Sequence, residues 1–150
     1  MSSVDALNLC RAWFSSQGWT AFPFQIQAWS SYLDGSSGLV NAPTGSGKTY
    51  SLLLPAIAEG IERSKTDFKS CDGVQLIWIT PIRALAKEIN QSAERALFAL
   101  SSNWEVGVRT GDSTQKTKLA QKKKLPQILI TTPESIHVTV SYTHLTLPTR

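Results

Sequence analysis

"GLVNAPTGSGKTYSLLLPAI", residues 38–57, is the stretch on which the fold turns. Residues 38–42 read as a short apolar strand, 43–47 as a glycine turn, and the remainder as an apolar helix that starts at Lys48. Within Ala42-Pro43-Thr44-Gly45-Ser46-Gly47-Lys48-Thr49 the glycines let the backbone curl until successive N–H groups face one anion. The helix start adds its dipole to that concavity. Thr44, Gly45, Ser46 and Gly47 line the cradle. Lys48 is placed to reach the β- and γ-phosphates of a nucleoside triphosphate, and the Thr49 hydroxyl to ligate Mg²⁺. The strict G-x-x-x-x-G-K-T pattern carries glycine where this chain has Ala42. The bland alternative is a glycine turn followed by a solvated lysine. A strand before the turn and an apolar helix after it favour the phosphate loop. Pro55 removes one backbone donor from that helix and bends it, a structural effect only.

Outward from this unit the chain repeats one grammar. "VQLIWIT" (74–80), "EVGVRT" (105–110) and "QILITT" (127–132) read as strands beside 38–42, and helical periodicity resumes from Ile82, near Thr114 and near Glu134. Strand followed by helix, repeated, predicts an α/β fold with a parallel sheet and helices on both faces. The strand around Ile77 and Trp78 is apolar throughout, as expected of one covered on both sides. Upstream, residues 3–17 carry a helical apolar stripe behind Ser3, and a second helix opens at Pro23 and runs through 34.

Parallel sheets of this kind bind ligands at the carboxyl ends of their strands. Polar and unusual residues do follow each strand here. Thr80-Pro81 and Thr132-Pro133 both read as a cap with proline first in the helix. The third strand ends in "RTGDS", a Gly-Asp turn beside a free Arg109. Each signal alone is equally well read as capping. Together they set helix N-termini, hydroxyls and Arg83 along one rim, an arrangement suited to the phosphates of an extended nucleic acid strand. Gln25, upstream of Lys48, carries an amide that matches adenine's N6 donor and N7 acceptor, with Gln27 as the competing choice.

The bulk numbers permit this and exclude little. The chain has 150 residues, 41% of them hydrophobic and 17% charged, enough for one domain with a buried core. Five tryptophans argue against disorder, and a net charge of +4 permits an anionic partner. Cys10 and Cys71 stand apart, which fits buried or free thiols in a reducing compartment. With no signal-like start and no membrane-length apolar run, a cytoplasmic address is expected and membrane association is not. Residues 64–73 form a polar connection.

With Gln25, "APTGSGKT", "TPIRALA", "TGD" and "TTPES" in this order, the chain resembles the first RecA-like domain of a superfamily 2 DEAD/DEAH-type helicase. The flanking residues make it look most like the Lhr-like, ligase-associated DEXH-box DNA helicases. The resemblance covers residues from about 10 to 136. It implies a P-loop NTPase of RecA-like architecture that uses ATP and Mg²⁺, with Lys48 and Thr49 as its catalytic residues here. Gln25 takes the place of the adenine-reading glutamine, and Gly45, Gly47, Lys48 and Thr49 fall in motif I. Pro81, Arg83 and Ala84 fall in motif Ia, Gly111 in the glycine-containing turn, and Thr132, Pro133 and Glu134 in motif Ib. The last three groups line the nucleic acid path in that family. The upstream aromatic expected to stack on the base has no clear match, though Trp19 and Phe22 are candidates. DNA as partner, a repair setting and enzymes such as a DNA ligase come from the resemblance alone, and RNA stays open because phosphate contacts carry no sequence information.

Two features depart from the family. None of the eleven carboxylates forms the Asp-Glu pair of its next motif, and Asp72 stands at the start of a strand, away from the rim. The second RecA-like domain, source of the arginine finger, is not found either, so the chain reads as a truncated fragment, inactive alone. Residues 1–37 are then helices with the glutamine motif and 38–137 a partial ATP-binding domain. Residues 138–150 are a tail of alternating apolar and polar residues, read as foreign and poorly ordered where the resemblance calls for a helix. Two other functions compete. A small P-loop kinase needs an arginine-rich lid that is not evident, and a non-enzymatic nucleic-acid-binding module would rely on "KTKLAQKKK" (116–124), better read as a solvated helix face.

Overall fold

The computed structural model describes residues 3–67, 69 and 72–143. Cys71 and residues 144–150, where part of the tail expectation falls, lie outside them. The chain divides into two compact units, one formed by Met1–Ser70 with Ala96–Ser102 and the other by Cys71–Arg95 with Asn103–Arg150. Among the described residues no helix is long and apolar enough to cross a membrane.

The first unit packs three helices, α1 (Ser3–Ser16), α2 (Pro23–Leu33) and α3 (Lys48–Thr66). Their apolar stripes converge: Ala6, Cys10, Trp13 and Phe14 from α1, Trp29 from α2, and Leu53, Leu54, Ile57 and Ala58 from α3 are all buried. Aromatic rings fill the junction, Phe14 meeting Trp29 edge to face at 5.0 Å and Trp13 meeting Tyr50 at a tilt at 4.9 Å between centroids. The Trp29 indole N–H donates to the Tyr50 carbonyl oxygen at 3.1 Å, so the largest core side chain meets its polar need inside. Burial pushes the Cys10 thiol up to about 12, which leaves it an inert core group. Pro55 sits buried inside α3 as a packing residue.

Residues 38–42 are not a strand. They carry no ladder hydrogen bonds, and Leu39 is 92% exposed. Local composition favours extension there, but a strand exists only when a neighbour pairs its N–H and C=O groups. The described residues of this unit contain no strand to do so.

The second unit is built on a three-stranded parallel sheet, β1 (Leu76–Ile79), β2 (Val106–Arg109) and β3 (Ile128–Thr131), in the order β1-β3-β2. The register sets Leu76 and Val106 against Ile128, and Ile79 and Arg109 against Thr131. The helices are α4 (Arg83–Ala99, its last turn grouped with the first unit), α5 (Gln115–Lys123) and α6 (Pro133–Thr143). The chain passes β3 in one direction to reach β2 and returns through α5, so right-handed crossovers put α4 and α5 on opposite faces of the sheet.

β3 is the doubly covered strand, with Ile128, Leu129 and Ile130 at 0% exposure, while β1 lies at the edge with Ile79 at 52%. Position in the ladder overrides the apolar run around Trp78. Helix α6 also corrects the period-2 reading of the tail, since residues 137–143 continue the helix opened by Pro133. The Thr139 hydroxyl returns to the Ser135 carbonyl oxygen at 2.9 Å, which is how a β-branched polar residue is accommodated inside a helix.

Candidate functional site

The loop at 42–49 has the expected curl. Gly45 and Gly47 take positive φ of +78° and +83°, and Gly47 is the left-handed cap from which α3 starts at Lys48. The Lys48 ammonium folds back across the loop and donates to the Ala42 carbonyl oxygen at 2.6 Å, and the Ser46 hydroxyl donates to the Pro43 carbonyl oxygen at 2.5 Å. Thr49 is the second residue of α3 and half-buried, and Thr44 is exposed. A cationic side chain, glycine-shaped backbone and a helix N-terminus therefore occupy one turn, which is the donor set a polyphosphate requires.

Gln25 is tied to that turn. It is 2% exposed and sits at the third position of α2. Its Oε1 accepts the Phe22 N–H at 2.8 Å, the return half of a capping box, and its Nε2 donates to the Gly47 carbonyl oxygen at 3.1 Å. A Cβ on Gly47 would come 2.7 Å from Gln25 Nε2, so the amide would have to shift, and the φ of +83° itself favours glycine. Gln27, the competing choice, is exposed and points to the opposite face of α2. Of the two candidate stacking aromatics, Trp19 leans on the core cluster, with Trp13 and Phe14 both at 5.6 Å, and is 39% exposed. Phe22 remains 55% exposed beside Gln25, stacked on Phe24.

In the second unit the ends of the three strands form a rim. Pro81 is exposed but is not the first helical residue. The Ile82 N–H donates to the Thr80 hydroxyl at 3.3 Å and the Ile82 carbonyl accepts from Ala86 at 3.2 Å, so α4 opens at Arg83. Arg83, Ala84, Gly111, Pro133 and Glu134 are exposed along the rim. Thr132 is 3% exposed, and its hydroxyl lies 3.1 Å from the Ser135 Oγ and within reach of the Glu134 carboxylate. Glu134 is held below the usual carboxylate range by its own backbone N–H, the Thr132 hydroxyl and the nearby Arg83 charge.

Arg109 is not free. It is 4% exposed, and its Nη1 has no hydrogen-bond partner among the described residues. The strand's alternation turns it inward, opposite the fully buried Thr131 whose hydroxyl donates to the Arg109 carbonyl oxygen at 2.7 Å. Sequence reading also missed the partner of Arg83, which is Asp112 at 2.6 Å. The Gly-Asp turn was visible, but the two residues stand 29 apart, beyond the reach of any local pattern.

Comparison with known proteins adds to this geometry. The model of the family described as DEAD/DEAH box helicase matches residues 22–147. The Lhr helicase/probable uracil glycosylase of Mycolicibacterium smegmatis is 33% identical over 138 residues, covering 85% of this chain and 9% of that protein. An ATP-dependent helicase Lhr-Core protein 2 of Thermococcus barophilus is 35% identical over 141 residues, covering 87% of this chain and 16% of that protein. The chain thus spans less than a fifth of these relatives. Among solved structures, Mycobacterium smegmatis helicase Lhr bound to ssDNA and AMP-PNP superposes with a TM-score of 0.74 at 31% identity, covering 89% of this chain and 18% of that one. The DEAD-box helicase Mss116 bound to ssRNA and UDP-BeF gives 0.67 at 25% identity, covering 79% of this chain and 24% of that one.

Proposed function

The chain belongs to the DEAD/DEAH box helicase family, and on that premise we propose that it contributes the ATP cradle and part of the nucleic acid path of an ATP-dependent DNA helicase. The carrying observation is the loop itself, where Gly45 and Gly47 curl the backbone and Lys48 lies across it on the Ala42 carbonyl oxygen. Triphosphate oxygens are a better partner for the Lys48 ammonium than that neutral carbonyl, so binding exchanges one hydrogen bond for charge-assisted ones. The amides of 45–49 would hold the β-phosphate, and the Thr49 hydroxyl would be the protein's ligand for Mg²⁺, which when bound would supply positive charge against that developing on the phosphates.

Gln25 has one N–H and one lone pair beyond its bonds to Gly47 and Phe22, and these are the pair an adenine edge takes. Phe22 supplies the apolar surface beside the base. The rim of Pro81, Arg83, Ala84, Gly111, Pro133 and Glu134 carries the DNA backbone, with Thr132 acting from beneath as the cap of α6. A cytoplasmic setting completes the reading.

Binding of a fluorescent ATP analogue with Mg²⁺ tests it. Lys48→Ala is expected to weaken binding by about tenfold or more, the worth of a charge-assisted contact, and unlabelled ATP to compete better than GTP. The 150-residue chain should bind without steady turnover, because its sequence holds no Asp-Glu pair to ligate the metal and orient water. Equal affinity of Lys48→Ala and the wild type removes the reading.

A further inference from the structure

We propose that Asp112 is a positioning residue for the nucleic acid rim: through its ion pair with Arg83 it fastens the turn after β2 to the turn after β1 and fixes how the guanidinium meets a strand phosphate. This rests on the strand-path reading above. β1 and β2 are not neighbours, because β3 lies between them. The 2.6 Å contact between Arg83 Nη1 and Asp112 Oδ2 therefore arches over the carboxyl end of β3, where α6 begins. Arg83 Nη2 lies 3.1 Å from where a Cβ on Gly111 would be, so the guanidinium lies close over the glycine turn. Glu134, at the start of α6, feels the Arg83 charge from the third side. One arginine thus joins the turns after β1 and β2, and its charge reaches the start of α6.

The exposure of the pair separates positioning from folding. The two side chains are 60% and 70% exposed, and ion pairs in that setting add little to stability. What the contact does provide is a restrained guanidinium. Arg83 would otherwise sample many rotamers, and a phosphate would have to immobilise it on binding. Asp112 engages one of five guanidinium N–H groups, which leaves an edge for the two parallel bonds an arginine makes to a phosphate.

Fluorescence anisotropy of labelled oligothymidylate against the 150-residue chain tests this. Asp112→Asn should weaken binding about three- to tenfold with an unchanged melting temperature, and Asp112→Glu should recover most of the loss. On an Arg83→Ala background, Asp112→Asn should cost nothing further, since the carboxylate acts only through the arginine. Binding by Asp112→Asn at or above the wild-type level, a loss that adds in full to that of Arg83→Ala, or a lowered melting temperature overturns the inference while the strand path stands. Failure of the wild type to bind oligothymidylate removes the strand path and the inference together.

Discussion

The Gln25 side-chain amide and the Gly47 main-chain carbonyl meet at 3.1 Å, so the helix that opens at Pro23 holds the loop that opens α3. The same Gly47 oxygen accepts the Ser51 N–H at 3.3 Å as α3 begins. Gly47→Ala would meet two obstacles at once, a φ of +83° and a Cβ 2.7 Å from Gln25 Nε2. Left-handed backbone alone costs about 1–2 kcal/mol for an alanine, and the displaced amide adds to that. An unfolding free energy lowered by roughly 2–3 kcal/mol, read from the denaturation midpoint, with nucleotide analogue binding lost in parallel, is the expected result. A wild-type midpoint would mean the loop does not hold this conformation in solution.

Arg109 predicts the reverse. A cation at 4% exposure with Nη1 unpartnered among the described residues is a cost the fold bears, and a methionine of similar length keeps the packing without the charge. Arg109→Met should stabilise the chain by about 1–3 kcal/mol, read as a raised melting temperature. A destabilised variant would show that the guanidinium has a counter-charge.

Glu134 contributes to the acid dependence of the rim. Its carboxyl is depressed by its own backbone N–H first and by the Thr132 hydroxyl second. A carboxylate with a lowered folded value stabilises the native state above its unfolded value, and the contribution fades as pH falls through the folded one. Thr132→Val should move the Glu134 titration up toward the ordinary carboxylate value of 4.5, followed by the side-chain carboxyl resonance in NMR. No movement would assign the depression to the backbone and Arg83 alone.

What the amino-acid order revealed was local chemistry. The glycine loop, the α2 start at Pro23, the return of helical periodicity near Thr114 and the strand-to-helix alternation of the second unit each depend on residues within a few positions. What stayed hidden depends on pairing across the chain. Residues 38–42 have strand composition but no ladder beside them, and "LIWI" looks like a central strand yet stands at the edge. Val138 and Thr139 alternate like a strand but follow Pro133 into a helix, where the opened turn outweighs weak β propensity. The same limit applied to the site. Lys48 and Gln25 were visible as residue types, whereas the burial of Arg109 and the Arg83–Asp112 contact exist only once three strands are aligned.

The bond from the Trp29 indole to the Tyr50 carbonyl gives the molecule a built-in optical gauge. Tyr50 follows Thr49 directly, so any rearrangement that an anion provokes in the first turn of α3 is transmitted to an indole in a dry, ring-lined setting. Emission colour and intensity from that indole should therefore track occupancy of the loop in unlabelled protein.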